Sequence, residues 1–141
     1  MRGRGRRIPA GRRAARVEHG VPSEKQAGRA HSALVDARAV DPVVLDMREV
    51  TLITDYFLIC HGTSNVHIRG LADAVVDALE EDELRPLGVE GYQEARWILL
   101  DYGDVIVHIF AEEEREFYDL ERLWSDAPRA EAPETGGGED G

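Results

Sequence analysis

The stretch that decides the fold is Ala95–Phe110, which reads ARWILLDYGDVIVHIF. It consists of two apolar runs joined through Tyr102 and Gly103. Glycine readily adopts the positive φ that a two-residue hairpin loop requires. We therefore predict an antiparallel hairpin whose loop is Tyr102-Gly103.

The predicted loop also fixes which side chains of the hairpin are neighbours. It pairs Asp101 with Asp104, Leu99 with Ile106, Trp97 with His108, and Ala95 with Phe110. These eight side chains share one face of the ribbon, and the other face carries an aliphatic set: Ile98, Leu100, Val105, Val107 and Ile109. The aliphatic face is the better candidate for the protein's own core. The face that carries Trp97 is either an interface, because so apolar a patch is rarely left in water, or is covered by the last helix.

Working outward from the hairpin, hydrophobic periodicity and turn residues predict the remaining elements. They are a helix at 28–39 that ends before Pro42, strands at 43–47 and 55–61, a helix at 65–83, a loop at 85–91 and a closing helix at 112–124. The order is helix, two strands, helix, two strands, helix. This order predicts a single α/β domain.

The closing helix contributes one more candidate for a contact. On a period of 3.6 residues, Phe117, Leu120, Leu123 and Trp124 lie on one arc, while Tyr118 points away from that arc. Tyr118 is therefore either a contact residue or simply a partly exposed tyrosine on the flank of a helix.

Charge and composition divide the chain into three parts. Residues 1–30 carry a formal charge of about +7 and the other 111 residues about −18, within a total of −11. We predict a disordered basic arm at 1–28, a domain at 29–127 and a flexible acidic tail at 128–141. An acidic body repels phosphate backbones, so if the protein works near nucleic acid, its globular part is expected to dock on a basic protein. The chain lacks an apolar run long enough for a membrane span or a secretory signal, so we expect a soluble, cytoplasmic protein.

The sequence argues against catalysis, cofactors and metal sites. Gly62-Thr63-Ser64 before a helix is similar to a phosphate-binding turn, but the lysine that such a loop needs is missing, and no Asp-x-Asp pair follows. The histidines lack metal-ligand spacing, and Cys60 is the only cysteine. We expect no enzyme and no cofactor. A nucleotidyltransferase-like enzyme and a free-standing RNA-binding module remain the alternatives.

Four motifs in order resemble the Iojap family of ribosomal silencing factors. They are ITDYFLICHGTS at 53–64, PLGVEG at 86–91, WILLDYGDVIVH at 97–108 and FYDLERLW at 117–124. The resemblance implies a mixed β-sheet packed with helices, related in shape to nucleotidyltransferases but without their catalytic carboxylates.

The resemblance also implies a partner and a mechanism. Members of the family bind the large ribosomal subunit through its fourteenth protein and obstruct joining of the small subunit when nutrients are scarce, and they tend to form homodimers. The matching positions place the family's contacts at Trp97, at the turn from Asp101 to Asp104, at His108 and at Tyr118. Together with Leu99 and Ile106, which share the same face of the hairpin, these are the predicted partner-binding residues.

The basic arm departs from the family pattern, since members usually start close to the first helix. Three interpretations compete for residues 1–28: a misplaced start or inert disorder, an arm that contacts ribosomal RNA, and an organelle transit peptide. The single serine of the arm, Ser23, and the lack of an amphipathic period weaken the third interpretation.

Overall fold

A computed structural model describes residues 20–130 of the chain. Its helices are α1 (Ser23–Asp36), α2 (Asn65–Glu80), α3 (Glu112–Tyr118) and α4 (Leu120–Leu123). Its strands are β1 (Val40–Asp46), β2 (Tyr56–Gly62), β3 (Gly88–Glu90), β4 (Trp97–Asp101) and β5 (Val105–Ala111). Most of the basic arm and residues 131–141 of the predicted tail lie outside the described residues.

The strands form one five-stranded sheet in the order β1-β2-β5-β4-β3. The central pair, β2 and β5, is parallel, and every other neighbouring pair is antiparallel. Parallel strands need a crossover connection, and α2 lies within the one that links β2 to β5. The prediction of an α/β domain with a mixed sheet is therefore confirmed.

One face of the sheet carries the main hydrophobic core. Helices α1 and α2 cover it with Ala27, Leu34, Leu71 and Val75, none of which is exposed. The aliphatic side of the hairpin lies beneath them and is fully buried, as the sequence predicts: Ile98, Leu100, Val105, Val107 and Ile109. Burying a side chain of this size stabilises the fold by about 1.5–3 kcal/mol.

The other face of the sheet is covered only in part. The segment from α4 to Ala127 lies over β1, β2 and Phe110, and it forms a second, smaller core with Leu45, Met47 and Ile59. The same segment continues as a short bridge in which Arg129 pairs with Leu45. This face is therefore closed on the β1–β2 side, and it stays partly exposed on the β4 side.

The hairpin register differs from the predicted one. Trp97 pairs with Phe110, Leu99 with His108 and Asp101 with Ile106. The N–H of Tyr102 donates to the carbonyl of Val105 at 2.9 Å, so the loop is Gly103-Asp104. Each partner is displaced by two residues along β5. Because side chains alternate with a period of two, the residues of β4 and β5 stay on their predicted faces. Ala95 and Asp104, which lie outside these strands, do not: Ala95 is buried in the main core, and the carboxylate of Asp104 bonds to Gln26 of α1.

The turn residues explain this displacement. Gly103 adopts φ +82, and its N–H donates to Oδ1 of Asp101 at 2.8 Å. Tyr102 therefore continues the ladder, and its side chain is 8 % exposed on the core face. The loop begins one residue later than predicted because an aspartate side chain and a glycine together build this turn.

The predicted domain boundaries need correction. Helix α1 begins at Ser23 rather than Gly28, and Gln26, Ala27 and Gly28 are already buried. At the other end, the N–H of Asp46 donates to the carbonyl of Pro128, and the N–H of Ala130 donates to the carbonyl of Val44. The fold therefore includes residues 23–28 and 128–130, which the composition had placed in the arm and the tail.

Two further predictions change. The predicted loop at 85–91 contains strand β3, whose three residues are too few to show a pattern. The closing helix is broken at Asp119, which takes a left-handed conformation with φ 48.

Among the helices of residues 20–130, none has the length and the apolar character that spanning a membrane requires.

Candidate protein-docking site

The face of the hairpin that carries Trp97 is an apolar surface that the sheet leaves partly accessible. Trp97, Leu99 and Asp101 on β4 and Ile106 on β5 are each partly buried. They lie at the open side of the sheet, beyond the segment that closes the second core. A surface of this kind is neither core nor ordinary solvent-facing sheet, which is typical of a docking site.

Aromatic rings run from the second core out to this open side. Trp124 contacts Phe57 at 5.9 Å between ring centroids, and Phe57 contacts His108 at 4.7 Å. Trp97 lies 4.9 Å from Phe110 and 4.6 Å from Tyr118. Aromatic pairs at such distances add about 0.5–1.5 kcal/mol beyond the area they bury. These ring contacts restrain the side chain of Trp97, and the residue remains partly exposed.

The break at Asp119 positions Tyr118. Immediately after it, Leu120 enters the second core and is 9 % exposed. Just before the break, Phe117 and Tyr118 are 79 % and 46 % exposed, and their rings lie 4.9 Å apart. An unbroken helix would keep these side chains at helical spacing around one axis, whereas the break turns Tyr118 onto Trp97.

Arg115 anchors this segment to the sheet. Arg115 is 7 % exposed, and its guanidinium donates to both carboxylate oxygens of Glu121 at 3.2 and 2.9 Å. It also donates to the carbonyls of Val40 and Asp41 and contacts Nδ1 of His61 at 3.0 Å. A planar guanidinium suits such a fork of acceptors, and this bonding ties α3 and α4 to the start of β1.

Two predicted contact residues are buried. Asp104 is 4 % exposed, its carboxylate accepts from Nε2 of Gln26 at 2.9 Å, and its carbonyl accepts from the N–H groups of Asp55 and Tyr56. His108 is also 4 % exposed. These positions leave little surface for a partner, so we assign both residues to the support of the site. The predicted contacts that retain exposed surface are Trp97, Leu99, Asp101, Ile106 and Tyr118.

His108 is neutral at physiological pH. Burial lowers the pKa of its imidazole to about 4 because the charged form would be desolvated. Its Nδ1 accepts the indole N–H of Trp97 at 3.2 Å. The histidine that we predicted as a neighbour of Trp97 does contact it, but as a diagonal neighbour from within the protein.

Phe117 is the residue that sequence reasoning missed. On an unbroken helix it shares the buried arc with Leu120 and Leu123, yet Phe117 and Leu123 are 79 % and 68 % exposed. The available signal was Asp119, because aspartate is a poor helix former that tolerates the left-handed conformation. We call the surface formed by Trp97, Leu99, Asp101, Ile106, Phe117 and Tyr118 the docking surface.

The Gly62-Thr63-Ser64 turn lies elsewhere and is occupied by structural bonds. The hydroxyl of Ser64 caps α2 by accepting the N–H of His67 at 3.0 Å. A cavity of about 270 Å³ beside it is lined by Arg96, Glu112 and Glu113 among others, and Arg96 is paired with Glu113 and Glu114. Within residues 20–130, no group of three or more His, Cys, Asp or Glu side chains is arranged to hold a metal ion.

Comparison with protein families gives one match that spans most of the chain. The model of the family described as "Ribosomal silencing factor during starvation" matches residues 21–140. A ribosomal silencing factor of Bacillus subtilis, RsfS, is 46% identical over 102 residues, which is 72% of this chain and 86% of that protein.

Two further relatives extend the comparison. A crystal structure of a protein from Chromobacterium violaceum superimposes with a TM-score of 0.69 at 30% identity and covers 79% of this chain and 93% of its own. The mouse protein named "Mitochondrial assembly of ribosomal large subunit protein 1" is 31% identical over 97 residues, 67% of this chain and 42% of that protein.

Proposed function

Because this chain belongs to the family of ribosomal silencing factors, we propose that it binds the large ribosomal subunit through the subunit's fourteenth protein and blocks joining of the small subunit. In this proposal the docking surface makes the contact, and the protein acts in the cytoplasm by occupying space rather than by catalysis. Translation is then repressed when nutrients are limiting.

One observation carries the proposal: the aromatic row reaches the protein surface at Trp97 and Tyr118 on the open side of the sheet. The two rings lie 4.6 Å apart, and the largely exposed Phe117 adjoins them. Tryptophan and tyrosine dominate the energetics of protein interfaces because they bury much area at little cost in entropy. A rigid, partly exposed pair of this kind suits a protein partner better than a small substrate.

Charge supports a ribosomal protein as this partner. The chain has a net charge of −11, and three glutamates at 112–114 begin the helix that carries Tyr118. Ribosomal proteins are generally basic, and complementary charge mainly raises the rate of association. The mouse relative is named for assembly of the large ribosomal subunit, which favours that subunit over the small one.

The docking surface also suits self-association. A homodimer that buried Trp97 and Tyr118 would hide the residues proposed to bind the ribosome, so dimer formation and ribosome binding would compete. We propose that the single chain is the form that binds. A concentration series in analytical ultracentrifugation, repeated with Trp97→Ala, tests whether one surface serves both contacts.

Cosedimentation with purified ribosomal subunits tests the proposed function. We expect the chain to pellet with the large subunit alone and to reduce the yield of joined ribosomes when the small subunit is added afterwards. Trp97→Ala is expected to weaken pelleting by about 30-fold or more, corresponding to the roughly 2 kcal/mol typical of an interface hot spot.

Val66→Ala is the matched control for Trp97→Ala. Val66 is 77 % exposed on α2, in the helical layer on the opposite side of the sheet, so its loss is expected to leave pelleting unchanged. Thermal unfolding of each variant checks that the fold persists. Pelleting with the small subunit alone, or equal binding by Trp97→Ala and the unmodified chain, would contradict the proposal.

A further inference from the structure

The hydrogen bond between Trp97 and His108 determines the tautomer of the histidine. Nε1 of Trp97 lies 3.2 Å from Nδ1 of His108. An indole N–H is a donor only, so Nδ1 must be the acceptor, and a neutral imidazole then carries its proton on Nε2. The buried environment of His108 keeps the ring neutral. The histidine is thus a fixed acceptor for the tryptophan.

The surroundings of His108 restrain its ring. The ring of Phe57 stands nearly perpendicular to it at 4.7 Å, and the ring of Phe110 is almost parallel to it at 6.2 Å. Nε2 is buried and has no hydrogen-bond partner among the described residues. A buried polar group without a partner costs about 1–3 kcal/mol, so its retention calls for a compensating role.

That role lies in the orientation of Trp97. We infer that His108 is a positioning residue that turns the indole N–H of Trp97 into the protein, so that the docking surface offers a partner only the hydrocarbon part of the ring. The inference rests on the proposed function for the identity of the partner. It adds to that function by specifying that the partner contacts an apolar part of Trp97 and not its N–H group.

The orientation of Trp97 indicates which kind of group on a partner fits against it. Since the indole N–H is already bonded within the chain, a partner gains nothing by placing a hydrogen-bond acceptor against Trp97, and it would have to break the bond to His108 in order to use one. The fitting contact is the apolar part of a side chain laid on the exposed ring carbons. Trp97→Phe would therefore keep the type of contact, whereas Trp97→Ala would not.

Nuclear magnetic resonance on the isolated chain tests the positioning role without the ribosome. The indole proton of Trp97 is expected to exchange slowly with solvent. In His108→Leu, which removes the acceptor and keeps an apolar side chain, the exchange is expected to be at least about tenfold faster, because the bond that restrains the proton is lost. In His108→Asn, a side-chain oxygen close to the former Nδ1 is expected to restore most of the protection. Trp124, the other tryptophan of the chain, is the internal reference and should keep its signal.

Binding to the large subunit tests the consequence. His108→Leu is expected to bind about fivefold to tenfold more weakly than the unmodified chain, the loss expected when one orienting hydrogen bond disappears. In a Trp97→Phe background, where no indole N–H exists, His108→Leu is expected to change binding less than about twofold. A purely structural histidine would instead weaken binding equally in both backgrounds.

The two arms separate this inference from the proposed function. If the chain fails to bind the large subunit while His108→Leu still frees the indole proton, the proposed function is overturned and the positioning role stands. If the indole proton of Trp97 exchanges as fast in the unmodified chain as in His108→Leu, the positioning role is wrong even though binding persists. Should His108→Leu not fold, loss of protection in His108→Asn would overturn the inference, and retained protection with near-normal binding would support it.

Discussion

At the scale of single residues, His108 links the stability of the protein to pH. Burial lowers the pKa of its imidazole from 6.5 to about 4 in the folded chain. Below about pH 6.5 the imidazole of His108 is therefore protonated in the unfolded chain but stays neutral in the folded chain. The free energy of unfolding then decreases toward pH 4 by at most about 3 kcal/mol, and above pH 7 the imidazole contributes no pH dependence.

His108→Asn isolates this effect. Burial also lowers the pKa of His31 and His61, so the unmodified chain alone would report several groups. We expect the free energy of unfolding, measured with urea, to fall more steeply between pH 7 and pH 5 in the unmodified chain than in His108→Asn. Parallel curves for the two proteins would show that His108 is not buried as described.

Tyr118 is the second residue whose removal should affect binding. Its ring lies on Trp97 and is 46 % exposed, so Tyr118→Ala removes a contact and also loosens the tryptophan. We expect a loss of about tenfold in cosedimentation with the large subunit, smaller than the loss for Trp97→Ala. Tyr118→Phe keeps the ring in contact with Trp97 and is expected to bind almost normally. Equal losses in Tyr118→Phe and Tyr118→Ala would show that the hydroxyl, and not the ring, makes the contact.

At the scale of elements, the break at Asp119 joins the docking surface to the second core. A left-handed conformation is strained for β-branched residues, so Asp119→Ile is expected to destabilise the fold by about 1–2 kcal/mol in urea denaturation. Asp119→Gly removes the same carboxylate, but glycine adopts the left-handed conformation without strain. Its free energy of unfolding is expected to stay within about 0.5 kcal/mol of that of the unmodified chain. Similar losses in both variants would mean that the carboxylate, and not the backbone, matters here.

The elements also show what a sequence can reveal. The two faces of the hairpin were predictable within β4 and β5, because alternation in these strands survives a displacement of two residues. The register was not predictable, since it depends on how Asp101 and Gly103 build one turn. The burial of Asp104 could not be predicted, because its partner, Gln26, is 78 residues away in the sequence. Composition had also assigned Gln26 to the basic arm. Long-range pairings of this kind leave no periodic signal.

Local sequence patterns also could not predict which part of the Trp97 face is covered. The segment around Leu120 and Ala127 closes part of that face because Arg115 binds the carbonyls of β1 and because Asp119 breaks the helix. Neither feature follows from hydrophobic spacing. The sequence therefore predicted every residue of the docking surface except Phe117, and the tertiary fold determined which of the predicted residues remain exposed.

At the scale of the whole molecule, the start of α1 at Ser23 divides the predicted basic arm into two parts with different expected roles. Deleting residues 1–19 is expected to leave the melting temperature and large-subunit binding unchanged. Deleting residues 1–28 removes residues 23–28 of α1, including the bond from Gln26 to Asp104, and is expected to lower the melting temperature by several degrees or more. Loss of ribosome binding on deletion of residues 1–19 with an intact fold would instead favour an RNA-binding arm.

The most direct measurement of the central claim is site-specific photocrosslinking to the large subunit. A photoreactive phenylalanine analogue is placed at Leu99 on the docking surface or, as the control, at the exposed Val66 on the opposite layer. We predict a crosslink from position 99 to the fourteenth protein of the large subunit and none from position 66. A crosslink to that protein from position 66, or from position 99 only to another ribosomal component, would contradict the account.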